Sequence, residues 1–266
     1  MIFNEICEII YNKEIAKNIF EAKLSSDKIS KYTKSGQFIN ILPSINFENA
    51  MRRPMSISYQ DSESINIIYK SIGDGTRIMK KWRKGEKIDI IGPLGNYWEI
   101  NHNKELVLLG GGVGIAPILN LYNEIVDKAK TKLFIGARDK DEHFLKHDET
   151  NNIYLSTDDG SYGIKGNLFD ALKKIFSIKD LQDKVMYVCG PPIMMEVVSK
   201  FALDNNIECY LALETIMACG IGICQGCTLE TNNNFKVKDY SYRSKYKLVC
   251  MDGPIFNAKD VKTCLL

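Results

Sequence analysis

The sequence predicts a multidomain chain: an antiparallel β-barrel, then an α/β unit built on a parallel sheet, then a small cysteine-bearing C-terminal domain. Three observations carry this. Short β-branched and aromatic runs separated by turn formers fill roughly the first hundred residues. From Leu106 apolar strands alternate with helix-length amphipathic segments, and after Glu214 that periodicity stops in "TIMACGIGICQGC". The expected boundaries are 1–99, 100–212 and 213–266, and 266 residues suffice for such units at ~100–200 residues or less each. Hydrophobic residues at 45% and charged residues at 26% are globular values, which exclude a disordered or fibrous chain. A net charge of +2 provides no broad cationic field, so nucleic acid is not expected as a partner.

The barrel runs are "GQFINILP", "MSISYQ", "SINIIYKSI" and "EKIDIIGPLG". Within "RRPMSIS", Arg53 and Ser56 put a cation and a hydroxyl on one short segment whose backbone Pro54 fixes, a combination that suits an anionic diphosphate. "IYKSIGDGT" adds Lys70 and the Gly75–Thr76 pair as further donors. Taken singly, each segment also reads as a solvated turn.

The α/β unit follows as "LVLLG", "APILNLYNEIVDKA", "KLFIGA", "NIYLST", "GNLFDALKKIF", "KVMYVCG" and "PIMMEVVSKFALDN". Its uncharged stretch from Leu106 to Asn123 is broken by four glycines, a proline and two asparagines, so strand, loop and helix are expected there and no membrane span. Gly110, Gly111, Gly112 and Gly114 lie between the first strand and the first helix, where a backbone can approach pyrophosphate at a helix N-terminus. The loop lacks the G-x-G-x-x-G pattern with its usual acid, offering Arg138 and Asp139 after the second strand, and a tight ligand-free turn is the competing reading. "STDDGSYGIKG" and the loop beginning Cys189, Gly190 reach the same carboxyl edge of the sheet, where open α/β sheets bind ligands. Cys189 also reads as a small packing residue.

The cysteine spacing is Cys219-x4-Cys224-x2-Cys227-x22-Cys250, the arrangement of a plant-type ferredoxin [2Fe–2S] cluster. Zinc sites favour two paired knuckles, and only one C-x2-C pair is present. Gly220, Gly222 and Gly226 are expected to supply positive φ and close approach of amides to sulfur. Cys7 and Cys264 read as ordinary thiols and Cys209 as a strand residue, while the polar stretch "ETNNNFKVKDYSYRSK" separates the third ligand from the fourth. The opening "MIFNEICEIIYNKE" carries acids where a secretory leader needs basic and apolar residues, so a cytoplasmic location with reduced thiols is expected.

Together these motifs resemble the ferredoxin–NADP reductase superfamily, and within it the electron-transfer subunits of heteromeric, NAD-linked dihydroorotate dehydrogenase. "SGQF", "RRPMSIS", "IYKSIGDGT", "GPLGN", "LLGGGVGIAP", "STDDGSYGIKG", "CGPP" and "ACGIGICQGC…VCMDGP" occur in family order across essentially the whole chain. The resemblance implies that Arg53, Pro54, Met55, Ser56, Ile68, Tyr69, Lys70, Gly75 and Thr76 hold FAD. It implies that Gly110, Gly111, Gly112, Gly114, Asp158, Asp159 and Gly190 hold NAD, with Cys189 as the catalytic residue at the hydride site. It further implies that Cys219, Cys224, Cys227 and Cys250 bind a [2Fe–2S] cluster in a ferredoxin-like domain. The implied partner is an FMN-containing catalytic subunit, in a heterotetramer of two of each chain serving pyrimidine biosynthesis. Electrons would pass from that FMN through the cluster and FAD to NAD+, and this chain alone would not oxidise dihydroorotate. Ser35 stands where the family often has proline, and Tyr97–Trp98 after "PLGN" leaves open which aromatic covers the flavin ring. Two rival readings are a subunit of an NADH-dependent ferredoxin–NADP oxidoreductase or sulfide dehydrogenase, whose related clusters replace the first thiolate with aspartate, and a non-enzymatic electron carrier.

Overall fold

Six antiparallel strands close into a barrel around a core in which isoleucine predominates, with Phe20, Ala22 and Leu24 contributed by one strand. The computed structural model describes residues 1–44, 51–232 and 245–265. Strands β1 (Phe3–Ala16), β2 (Ile19–Ser25), β3 (Phe38–Leu42), β4 (Arg53–Gln60), β5 (Ser64–Lys70) and β6 (Lys87–Leu94) follow the order β1-β2-β5-β4-β3-β6 around the barrel. Ile9, Ile39, Ile41, Ile57, Ile65 and Ile67 fill its interior with no exposure at all, the packing that stiff side chains achieve on a pleated surface. The hairpin β1–β2 was not among the four runs legible in the sequence. Its buried Cys7 and Ile9 alternate with exposed Ile6 and Glu8, so charge interrupts the apolar signal. Two short helices, α1 (Ile29–Tyr32) and α2 (Asp74–Met79), bridge barrel strands.

The α/β unit has the alternation its sequence predicts. Strands β7 (Glu105–Gly111), β8 (Thr131–Ala137), β9 (Ile153–Thr157), β10 (Ile164–Lys165), β11 (Lys184–Cys189) and β12 (Glu208–Ala212) form one parallel sheet in the order β10-β9-β8-β7-β11-β12. Helices α3 (Ile115–Glu124), α4 (Leu168–Ile175), α5 (Ile178–Gln182) and α6 (Pro192–Asp204) cover it, which is why its strands read as continuous apolar runs. Asn167 caps α4 by accepting from the amide of Asp170 at 3.0 Å, and Pro192 opens α6 at the position where a missing N–H costs nothing. Among the described residues no helix is long and apolar enough to cross a membrane.

Two seams join these units. Helix α3 packs on β4, and the buried Trp98 donates from its indole to the Pro117 carbonyl at 3.4 Å while meeting Tyr187 edge-on at 5.5 Å. Asn96, just past β6, donates to the carbonyls of Asp252 and Ile255 at 2.9 and 2.8 Å and accepts from the Ile255 amide at 2.9 Å.

After β12 the chain leaves the sheet for an excursion whose described residues form β13 (Thr228–Glu230) and β14 (Tyr246–Leu248), paired antiparallel. It then returns as β15 (Ile255–Asn257), antiparallel to β12, making the seventh strand. The segment expected as a separate domain over 213–266 therefore shares its last strand with the central sheet. Most of the polar stretch before the fourth cysteine lies outside the described residues.

Candidate functional site

The cysteine excursion is shaped by backbone conformations and by borrowed contacts. Gly220 and Gly222 have φ of +73° and +80°. A Cβ on Gly220 would stand 2.9 Å from Asn40 Nδ2, and one on Gly222 would stand 2.7 Å from Met251. Gly226 does not share this role: the third left-handed residue is Gln225, at φ +59°. Asn40, fully buried on β3, donates to the carbonyls of Ala218 and Cys219 at 3.2 Å each and so ties the loop to the barrel wall.

The four thiols stand as two pairs. The Cys224 amide donates to Cys219 Sγ at 3.4 Å. The Cys250 amide donates likewise to Cys227 Sγ at 3.5 Å. Burial pushes the Cys219 thiol up, but the amides of Cys224, Ile221 and Ile223 and the Cys224 thiol outweigh it and hold Cys219 at about 6. Burial and the adjacent Cys227 push Cys250 up to about 12. Among the described residues no three ligand-type side chains converge on a point as one metal ion would need. Two thiol pairs with amides aimed at sulfur fit the donor set of a two-iron cluster.

Between barrel and sheet lies a cleft of about 240 Å³. Pro54, Met55 and Ser56 of β4, Ile68, Tyr69 and Lys70 of β5, and Thr76 of α2 form its barrel wall. Val113 and Ala116 close it from the sheet side, and Leu213, Glu214, Thr215 and Met217, at the root of the cysteine loop, supply its floor. Arg53 and Gly75 lie together behind this wall, since a Cβ on Gly75 would come 2.6 Å from Arg53 Nε. The Tyr69 ring points into the barrel, stacked on Phe20 at 5.6 Å with its hydroxyl donating to Asn12 at 2.9 Å, so its share of the cleft is main chain. Neither Tyr97 nor Trp98 lines the cleft: Tyr97 carries Lys34 over its ring on the surface and Trp98 is buried in the seam.

A second cleft of about 350 Å³ opens at the carboxyl edge of the sheet and shares Lys70 and Val113 with the first. The glycines divide by role. Gly112, at φ +54°, has open space where a Cβ would stand and lines the cleft. Gly114 could carry no Cβ without meeting the Cys189 carbonyl at 2.6 Å, and a Cβ on Gly190 or Gly111 would strike Met194 at 2.4 or 2.6 Å. Gly110 packs against Ile135 and Ile115 in the same way. Gly111, Gly114 and Gly190 hold the β7 and β11 loops in contact, Gly110 fits against β8 and α3, and Gly112 leaves its backbone facing the cleft. Asp158 lines the cleft, whereas Asp159 turns to Ser161, accepting from its amide and hydroxyl at 2.9 and 2.7 Å. The Cys189 thiol is buried in the apolar core, lines neither cleft, and is pushed far up by that burial.

Two acids escaped the sequence reading. Glu214 opens the cysteine loop and faces the first cleft from below its mouth, where surrounding protein raises its carboxyl above the usual range. Glu142 looked like one more charge in "RDKDEH", yet it is buried and accepts from Lys70 Nζ at 2.7 Å and Arg138 Nε at 3.0 Å. Arg138, then Lys70, draws it down to about 2 against its burial. The signal available in sequence was its spacing of four residues from Arg138, too common to single out.

Barrel, nucleotide-type sheet and paired thiols define a flavin and iron–sulfur oxidoreductase subunit of ferredoxin-reductase type. Residues 214–262 match the family described as the iron–sulfur cluster binding domain of dihydroorotate dehydrogenase B, and residues 108–200 match the oxidoreductase NAD-binding domain. The electron transfer subunit of dihydroorotate dehydrogenase B (NAD(+)) from Fusobacterium nucleatum subsp. nucleatum is 34% identical over 97% of this chain and 98% of its own length. That of Bacillus pumilus is 32% identical over 95% and 96%. A chain in a solved structure of an NADH-dependent reduced ferredoxin–NADP oxidoreductase superposes with a TM-score of 0.82 at 27% identity, covering 97% of this chain and 90% of that one. The chain belongs to the family of electron-transfer subunits of dihydroorotate dehydrogenase B.

Proposed function

We propose that this chain serves pyrimidine biosynthesis in the cytoplasm, carrying electrons from an FMN-bearing dihydroorotate dehydrogenase subunit through a [2Fe–2S] cluster and FAD to NAD+. The observation that carries the reading is a continuity of sites. The root of the cysteine loop floors the first cleft, and Lys70 and Val113 wall both clefts. A nicotinamide exchanges two electrons as hydride and an iron–sulfur centre one at a time, and a flavin between them converts the one into the other.

The chain's own residues divide the work accordingly. Lys70, Ser56 and Thr76 give the first cleft its cation and hydroxyls for a diphosphate, with Arg53 behind them. Gly112 at the start of the turn into α3 admits a pyrophosphate, and the packed glycines fix that turn against the Cys189 loop. Exposed Ile223 adjoins the exposed Cys224, and half-exposed Met251 packs beside Gly222 in the same loop, an apolar edge suited to a protein partner. A heterotetramer of two of each chain is the assembly this reading favours.

The test is anaerobic addition of NADH to the purified holoprotein, with identification of the flavoprotein that co-purifies. The expected result is bleached flavin absorbance and an FMN-containing dihydroorotate-oxidising partner. A colourless chain, or one unbleached by NADH, would overturn the reading. The likeness to the ferredoxin–NADP oxidoreductase structure favours a second reading, which a ferredoxin-linked partner would select.

A further inference from the structure

The seam between the two clefts holds a buried acid that neither electron transfer nor folding of the sheet explains. Glu142 sits in the turn after β8 with its side chain 6% exposed, bonded through one oxygen to Lys70 Nζ at 2.7 Å and to the Arg138 guanidinium, whose Nε lies at 3.0 Å. All three residues line the second cleft, so two cations face the ligand space and one carboxylate occupies both. Arg138 is also influenced by Asp139 and Asp158, and Asp158 lines that same cleft.

Where Arg138 lies along a bound dinucleotide follows from the sheet. The pyrophosphate belongs at Gly112, and the nicotinamide must point toward Val113 and Ala116, where the first cleft begins. The adenosine half then runs the other way, across the carboxyl ends of β8 and β9, which carry Arg138 and Asp158. An arginine there would ordinarily receive a 2′-phosphate bidentately. With its guanidinium turned onto Glu142, an incoming phosphate meets acids, while a ribose hydroxyl still finds a carboxylate acceptor in Asp158.

We propose that Glu142 makes this subunit select NAD over NADP, by engaging the Arg138 guanidinium so that it cannot receive a phosphate on the adenosine 2′-oxygen. This rests on the nucleotide-site reading above and adds the residue that discriminates between the two cofactors. Specificity arises here from an attraction already satisfied inside the protein, combined with repulsion of the wrong ligand.

The experiment uses the holoprotein and measures inhibition of NADH-driven flavin bleaching by adenosine 2′,5′-bisphosphate and by adenosine 5′-monophosphate, with FAD content recorded for each variant. In Glu142→Gln the ratio of the two inhibition constants should move toward the bisphosphate by roughly 10- to 100-fold, the effect of one charge-assisted phosphate contact. Glu142→Gln combined with Arg138→Ala should return the ratio to its starting value. Arg138→Ala alone, a change to a side chain 71% exposed, should leave the ratio as in the unaltered protein. An unmoved ratio in Glu142→Gln would overturn the proposal, as would a gain that persists without Arg138. So would a bisphosphate affinity that falls tenfold in Arg138→Ala, since Arg138 would then already read the phosphate. Bleaching of the unaltered protein by neither NADH nor NADPH would sink the nucleotide-site reading itself, whereas equal bleaching by both would sink only the discrimination.

Discussion

The barrel and the cysteine excursion obtain their shapes in opposite ways. In the barrel, every strand pairs with two neighbours and fully buried isoleucines fill the centre, so the form is repeated many times over in local alternation. Among its described residues the excursion has two strands of three residues each and is held by Asn40, Asn96, a few left-handed residues and four thiols. The barrel carries its structure within itself; the excursion takes its structure from the surfaces on either side and from what the thiols bind. A flavin clamp needs rigidity of the first kind, whereas a metal loop at a protein interface can rely on its ligand for the last of its order.

Cys224→Ser should divide the two regions most sharply. Electron exchange with the partner should be abolished while FAD absorbance stays, and unchanged coupled turnover would remove the thiol from the cluster. Ile41→Ala, inside the barrel, should cost about 2–5 kcal/mol of stability by opening a cavity, and urea titration should show flavin lost together with the fold. Arg53→Ala should weaken FAD retention by about tenfold, one charge-assisted contact, with the barrel's urea midpoint nearly constant. FAD content after gel filtration reads this, and an unaltered content would remove Arg53 from the diphosphate. Asn96→Ala should have the most local effect, about 1–3 kcal/mol for the lost carbonyl and amide bonds. It should speed hydrogen exchange around Asp252 to Ile255 and leave barrel amides protected; uniform acceleration would show the two regions to be one cooperative unit.

Legibility in sequence follows the same division. Five of the six parallel strands were readable within a residue or two because burial on both faces writes continuous apolar runs, as in "KVMYVC", whereas the two-residue β10 lies in a stretch that reads as a polar loop. The four cysteines were readable because metal chemistry constrains spacing directly. The β1–β2 hairpin was not, because acids and lysines occupy its outer face. β15 was missed because three residues following a proline carry no period and acquire strand geometry only against β12. Within the site, glycine positions were visible but their division between packing and ligand space was not, since that depends on which atoms lie opposite each missing Cβ. Glu142 and Glu214 needed coordinates for a similar reason: charge is common in sequence, and only burial beside Lys70 and Arg138 distinguishes the first, and a place in the lining of the first cleft the second.

The position of β15 bears on how such a protein is assembled. Until the ribosome has made residues 255–257, the outer edge of β12 lacks its pairing strand, and by then all four thiols have been synthesised. A chain interrupted between Cys250 and Ile255 would therefore carry every thiol and still leave the border strand of its central sheet unmade.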